Sequence, residues 1–545
     1  MKKHIYTFCL MIFLTIISCS AQEIFANQRN TWLQKAEEAK PALHETIVHP
    51  ISIVKAVADK NAYQGWRYEK QDEIEKLYTT NFKELKSVTV DFGKHLTGYF
   101  SFHTQILTNC EDAPVRLKFT FAETPAELNT PLDPWKSNMS RAWMQDEIIT
   151  LTQLNETVQL PRRFAFRYLK LELLASSVYF DFAIDKLTFR AVSSAGEVKT
   201  DLPSQCPAII KDINRIGIET LRECMQTVYE DGPKRDQRLW VGDLYLESLA
   251  NRYSFKNFQL TKRCLYLFAG LADENGIVIA NIFEHPEPHP QKGQLCLTYS
   301  MLFNSTLLEY LKDTNDYETA NDLWCVARRQ MEYALNYVNK DYLFDPNLYA
   351  PNWFFLDWRD GLDAHTPMQG AILFALNETY ELACMLGKEK EVSEWPLIAK
   401  KMKKAARQHL YDNQQKVFIS GANKQISVLS QAWMIIGGVT SEKEGQQAIR
   451  QALNNSQCVM PGTPYGTHYL IEAMVKSGMH KEAHTYLTEY WGGMVKKGAD
   501  TFWEAYDPKN DYISPYGFFP VNSACHAWSC TPVYFIHKYP EIFQR

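Results

Sequence analysis

At about residue 205 the spacing of apolar residues changes from every second position to every third or fourth, and it does not change back. A strand turns alternate residues to one face, whereas a helix turns residues three or four apart. A chain that keeps each period to its own stretch folds as two successive units of different class. Between Ser87 and Val192 the period is two. Ser87-Val88-Thr89-Val90-Asp91-Phe92-Gly93, Tyr99 to His103, Val115 to Phe121, Arg167 to Leu173 and Phe180 to Asp185 alternate, separated by Gly, Asn, Asp and Pro. Short strands of this kind predict an antiparallel β-sandwich. Ser193 to Ser204, carrying Ser, Gly and Pro, is the expected linker. After Pro207, residues Ile209, Ile213, Ile216, Leu221 and Cys224 set a helical stripe, and about twelve such segments follow, the last over 521–537. Twelve helices close as six hairpins around a central pocket, although that number fits other all-α packings equally well.

The 545 residues are 46% hydrophobic and 22% charged, which excludes a disordered or repeat-polymer chain. Lys and Arg number 58 against 63 Asp and Glu, a formal charge of -5, so a nucleic-acid partner is not expected. The excess is aromatic: 29 Tyr, 29 Phe and 13 Trp, many beside polar residues in the second half. That mixture suits a sugar-binding cleft, and a bulky helical core also produces it.

The first residues predict export. Lys2 and Lys3 precede an apolar run from Ile5 to Ile17, and Ile16-Ile17-Ser18-Cys19 reads as a lipobox. The expected mature protein is a periplasmic or outer-membrane lipoprotein tethered through a lipidated Cys19, with ordinary cleavage after Ala21 as the alternative. The expected units are a signal peptide over 1–21, a sandwich accessory domain over 23–200 and a catalytic domain over 205–545. Ten cysteines lie beyond the leader, with no CxxC pair and no His at zinc-ligand spacing. They are expected to be buried small apolar residues, and neither a metal nor another cofactor is indicated.

Three segments carry the chemistry. Glu230 to Asp243 holds four carboxylates, three cations and Trp240, on a loop that Gly232-Pro233 separates from the preceding helix. Carboxylates accept hydroxyl hydrogen bonds, Arg orients them, and Trp covers an apolar sugar face. A solvated loop with Asp243 as a helix cap is the alternative. In Trp353 to Asp360, Asp357 stands between Trp353 and Trp358, as a sugar site or as a structural Trp pair with a capping Asp. In the third, Glu504 lies between Trp503 and Tyr506, and Asn522 to Trp528 includes His526. Aromatic neighbours predict a desolvated Glu504 with a raised pKa.

In this order the three clusters resemble the catalytic half of the α-L-rhamnosidases, glycoside hydrolase family 78. That family carries Asp-x-Pro-x-Arg-Asp-Glu-Arg-x-Gly-Trp-x-Gly-Asp, matched from Asp231 to Asp243, then an Asp-Trp loop matched by Asp357-Trp358, then a Trp-Glu matched by Trp503-Glu504 with His526 after it. Asp91 to Tyr99 and Arg163 to Tyr168 look like the family's β-sandwich. The resemblance implies an (α/α)6 six-hairpin barrel behind that sandwich, and inverting removal of terminal α-L-rhamnose from an oligosaccharide or polysaccharide side chain of plant-type glycans. It implies Glu504 as general base, and Asp231, Arg235, Arg238, Trp240, Asp243, Asp357, Trp358, Trp503 and His526 as substrate contacts.

The chain departs from the pattern at the general acid. The family's Glu is Gln237 here, and an amide does not donate a proton as a carboxylic acid does. The loop also lacks the Gly before Trp240. Asp236 next door is the expected replacement acid. Two alternatives remain: a resemblance to an (α/α)6 lyase family that releases rhamnose from glucuronate by β-elimination with a Tyr base, and a carbohydrate-binding relative without catalysis.

Overall fold

A computed structural model describes residues 23–349 and 352–545; the leader, with Cys19, lies outside them. The stretch of period two forms one antiparallel sheet: β1 (His44–Val48), β2 (Ser52–Ala58), β3 (Trp66–Asp72), β4 (Ser87–Thr108), β5 (Val115–Ala122), β6 (Asp146–Leu151), β7 (Thr157–Gln159), β8 (Phe164–Ala175) and β9 (Asp181–Ser193). Its order is β1-β9-β4-β8-β5-β6, with β2 and β7 branching at β4 and β3 pairing with β2. The first half of β4 pairs with β8 and the second with β9. The ladder therefore doubles over, and its leaves meet through Phe rings: Phe100 lies 5.8 Å from Phe119, and Phe166 lies 4.9 Å from Phe189. Each such buried Phe contributes about 1.5–3 kcal/mol. Within the β4–β8 pairing the register breaks between Asp91 and Leu96, where Gly93 takes a φ of +84°. This bulge swings His95 out of the ladder towards the helices.

The helical unit follows the change of period. Before it, α1 (Arg29–Glu38) leaves the sheet and joins the helical core through Trp32 and Ala36. Short turns α2 (Glu75–Thr79), α3 (Phe82–Leu85) and α4 (Pro125–Leu128) link strands. Then come α5 (Ala208–Cys224), α6 (Val241–Asn251), α7 (Phe258–Gly270), α8 (Leu297–Thr314), α9 (Tyr317–Leu335), α10 (His365–Met385), α11 (Trp395–His409), α12 (Val428–Ile436), α13 (Glu442–Asn454), α14 (Pro464–Lys476), α15 (His480–Lys496) and α16 (Pro532–Lys538). The even-numbered helices α6 to α14 touch in succession, and the 3-10 turn Ala527–Cys530 with α16 closes the circle between α14 and α6. All eleven residues of α6 and all nine of α12 are buried. The outer α13 buries one stripe and is started by a capping box between Ser441 and Glu444.

The helix expected over 521–537 is mostly not one. Pro520 and Pro532 bracket an irregular segment that becomes helical only at Pro532. Its residues are buried on every side, which imitated a helical stripe. Of the ten cysteines, six are buried and Cys110 and Cys384 are exposed; all ten are free thiols.

Gly98 marks the point where β4 passes from β8 to β9, opposite Phe164 on one side and Ala191 on the other. A Cβ there would stand 2.0 Å from the Arg190 carbonyl oxygen. Gly98→Ala should therefore destabilise the protein by about 1–3 kcal/mol, read as a lower denaturant midpoint at unchanged slope. An unchanged midpoint would contradict the doubled-over ladder.

Candidate active site

The N-terminal ends of α6 and α8 and the loops beside them line a cavity that opens to solvent. Trp240 and Asp243 come from the start of α6, Tyr299 from the first turn of α8, and Trp353, Phe355 and Trp358 from the chain leading into α10. Glu504, Tyr516, His526 and Trp528 come from the irregular chain between α15 and α16, and Asp231 and Asp236 from the loop after α5. Helix N-termini carry partial positive charge, which suits a wall of carboxylates.

The first loop is shaped by a pinch. The Asp231 amide donates to the Arg238 carbonyl at 3.0 Å, and the Arg238 amide donates to the Asp231 carboxylate at 3.2 Å. Between them Asp236 and Gln237 both take left-handed backbone, φ +61° and +50°, each costing roughly 1–3 kcal/mol in a non-glycine residue. This turn sends Asp236 into the cavity and Gln237 away from it, its amide donating to the Pro233 carbonyl at 2.8 Å. The residue at the expected acid position is thus absent from the pocket, and its neighbour lines it.

Glu504 is 1% exposed. One carboxylate oxygen accepts from Arg235 and, at 3.0 Å, from the Ser523 amide; the other accepts from the Tyr516 hydroxyl. Burial alone raises its pKa, but the Arg235 guanidinium, His526 and these donors outweigh burial and hold it below the usual range. The expected rise is corrected: the aromatic neighbours are present, but a cation was added behind them. Arg235 itself is 2% exposed, lies 4.3 Å from the Tyr516 ring centre, and also donates to Asp236 at 3.2 Å and to the Val521 carbonyl at 2.7 Å.

Three more acids, Asp231, Asp236 and Asp243, line the same cavity. Burial, then repulsion from Asp236 and Asp243, pushes Asp231 well above the usual carboxylate range. Burial also raises Asp243, against which His526 stands at 3.3 Å. Among the described residues, Asp236 Oδ1, Trp240 Nε1, Trp353 Nε1 and His526 Nδ1 are buried without a hydrogen-bond partner, while His526 Nε2 and Asp243 Oδ1 meet at 3.3 Å. Buried polar atoms are normally satisfied, so this many around one cavity mark a place for a hydroxyl-rich ligand.

Four expected substrate contacts are placed elsewhere. Asp357 is outside the cavity lining and accepts from the Thr463 hydroxyl and, at 2.6 Å, the Gly462 amide, joining the α10 approach to the start of α14. Burial pushes it up to about 6. Trp503 points the other way from Glu504, as successive residues of extended chain do, and stacks on Tyr63 of the sheet at 3.9 Å. Arg235 and Arg238 stand behind the wall; Arg238 donates to Gln291 at 3.1 Å and lies 4.3 Å from the Phe283 ring centre. Asp231, Asp236, Trp240, Asp243, Trp358, Glu504 and His526 do share the cavity. Tyr516 and Tyr299 were missed, because a lone Tyr in a turn and another in a helix carry no signal of their own.

Comparison with known proteins agrees with this geometry. Residues 50–191 match the family model of the glycosyl hydrolase family 78 alpha-rhamnosidase N-terminal domain, and residues 204–539 match that of the bacterial alpha-L-rhamnosidase 6 hairpin glycosidase domain. A rhamnosidase from Klebsiella oxytoca, solved with rhamnose bound, is 37% identical over 94% of this chain and 99% of its own, with a TM-score of 0.89. The fold is shared with a family 78 rhamnosidase of Bacillus sp. GL1, 21% identical with a TM-score of 0.68 over 83% of this chain and 46% of its own. It is shared also with the Streptomyces avermitilis α-L-rhamnosidase complexed with L-rhamnose, 15% identical with a TM-score of 0.65 over 92% of this chain and 44% of its own. No curated protein matches the chain in sequence. Of the two resemblances, the matches fall on the hydrolases: the chain belongs to the α-L-rhamnosidases of glycoside hydrolase family 78.

Proposed function

We propose that this glycosidase removes terminal α-L-rhamnose by a single inverting displacement, with Glu504 as general base and Asp236 as general acid. The observation that carries the reading is the set of unpartnered buried polar atoms on residues that line one cavity with Glu504, Phe355 and Trp528. A 6-deoxyhexose offers hydroxyls to such atoms and its methyl and ring face to Phe355 and Trp528. Glu504, held ionised by Arg235, accepts a proton from water as that water attacks C1. Asp236, with Oδ1 unpartnered, gives its proton to the departing glycosidic oxygen, so the bond breaks as the new one forms. Asp231 and Asp243, both raised by burial, bind ring hydroxyls by hydrogen bonds. By likeness to the family, the reading extends to plant-type glycans as the source of the rhamnose.

Glu504→Gln should lower kcat by about 10²–10⁴-fold while calorimetry still detects L-rhamnose binding; wild-type turnover would falsify the base assignment. The acid is read from the leaving group. Asp236→Asn should lose much activity on an alkyl rhamnoside and little on a nitrophenyl rhamnoside, whereas Asp231→Asn should lose equally on both. Equal losses in Asp236→Asn would move the acid role elsewhere.

The pH profile tests the clamp on Glu504. The base works only when ionised, so its depressed pKa puts the acidic limb of kcat/KM below the usual Glu range. Arg235→Met removes the cation, raises the Glu504 pKa and should shift that limb to higher pH. A limb that stays in place would show that Arg235 does not set the base.

Export as a lipoprotein is the accompanying inference, supported by Lys2, Lys3, the Ile5 to Ile17 run and Cys19. Cys19→Ala should move the protein from the membrane fraction to the soluble one; retention in the membrane would contradict the anchor.

A further inference from the structure

Among the described residues, none lining the cavity comes from the sheet. The N-terminal unit reaches the site from behind through several side chains, of which Glu123 meets both site loops. Glu123 follows β5 and is 4% exposed, with three partners from three parts of the chain. Its Oε1 meets His95 Nε2 at 3.1 Å, the residue that the β4 bulge turns out of its ladder. Its Oε2 accepts from Lys234 at 2.9 Å and also from the Ala524 amide at 2.5 Å.

Both of the last two partners adjoin the reacting groups. Lys234 precedes Arg235 and Asp236, and also donates to the Pro520 carbonyl at 3.3 Å and to Glu127 at 3.2 Å. Ala524 follows Ser523, whose amide holds Glu504, and precedes Cys525 and His526. Glu123 therefore grips the loop bearing the acid and the loop supporting the base at once. The loops meet directly where the Ala527 amide donates to the Asp231 carbonyl at 2.9 Å, and Lys234 also donates to the Asn522 carbonyl; Glu123 adds the tie between Lys234 and the Ala524 amide.

We propose that Glu123 is a positioning residue for the reaction: by tying Lys234 to the Ala524 amide it sets the spacing between Asp236 and the Ser523–His526 wall, a role that rests on the acid and base assignments above. Stability alone gives little reason for the arrangement. A buried ion pair adds little net stability over an apolar pair of similar size, whereas it fixes geometry strongly. A misplacement of about 1 Å at a reacting group costs on the order of 100-fold in rate.

Two variants separate positioning from stability. Glu123→Gln keeps the size of the side chain but leaves Lys234 buried without its charge partner. The double variant Glu123→Gln/Lys234→Met removes both charges and relieves that penalty. If Glu123 positions the loops, the double variant regains much of the thermal stability lost in the single one, yet its kcat on an aryl rhamnoside stays down by about 10- to 100-fold. Its acidic limb also moves to higher pH, because the Ser523 amide no longer supports Glu504 as well. A double variant with wild-type kcat and an unmoved limb overturns the proposal. A crystal structure of the same variant gives a readout free of activity: a Ser523 N to Glu504 distance still at 3.0 Å also overturns it. The wild-type protein assayed beside them separates the two ideas. An inactive wild type contradicts the functional reading, while an active wild type with an unaltered double variant contradicts only the role of Glu123.

Discussion

The site depends on one guanidinium. Arg235, buried beneath Tyr516, donates to Glu504 with one nitrogen and to Asp236 with another, so a single planar group sets both carboxylates. The carboxylates around the pocket do not respond alike to burial and to this cation. Glu504 has Arg235, the Ser523 amide and Tyr516 around it and is held down. By contrast, Asp231 and Asp243 are pushed up by burial, and Asp231 also by the neighbouring acids. With Glu504 held below the usual range and Asp231 and Asp243 raised above it, the pocket is chemically asymmetric, as acid–base hydrolysis requires.

That asymmetry is held by contacts between the two units. Arg163 of β8's approach donates twice to Glu230, at 2.6 and 2.7 Å, just before the acid loop begins. Arg167 of β8 reaches Asp500 at 3.2 Å, just before the strand of chain that carries Glu504. Tyr63 stacks on Trp503. The sheet is thus a brace for the irregular loops at one end of the barrel, where α6 and α12 are buried along their whole length.

The fold was legible because periodicity is a property of backbone geometry: alternation in Val115 to Phe121 and the stripe from Ile209 to Cys224 each admit one regular structure. Where a segment is buried on all sides, as at 521–537, the stripe misleads. The cavity was legible where charge and aromatic residues concentrate, around Asp231 to Asp243 and at Glu504. It was less so where a single rotation decides the matter. Trp503 and Glu504 are adjacent in sequence and point to opposite sides. Asp357 sits in a sugar-like motif, but its partners are Gly462 and Thr463, about a hundred positions away, which no local pattern signals. The Glu504 pKa was misjudged for the same reason: its aromatic neighbours are local and Arg235 is not.

The most direct measurement is a crystal structure of Glu504→Gln with an uncleaved aryl rhamnoside bound. The account predicts the sugar ring in the cavity, C1 between Asp236 and residue 504 on opposite faces, and the two side-chain carbonyl groups about 6.5–9.5 Å apart. A ring bound outside the cavity, both groups on one face of the sugar, or a separation near 5 Å, would contradict it.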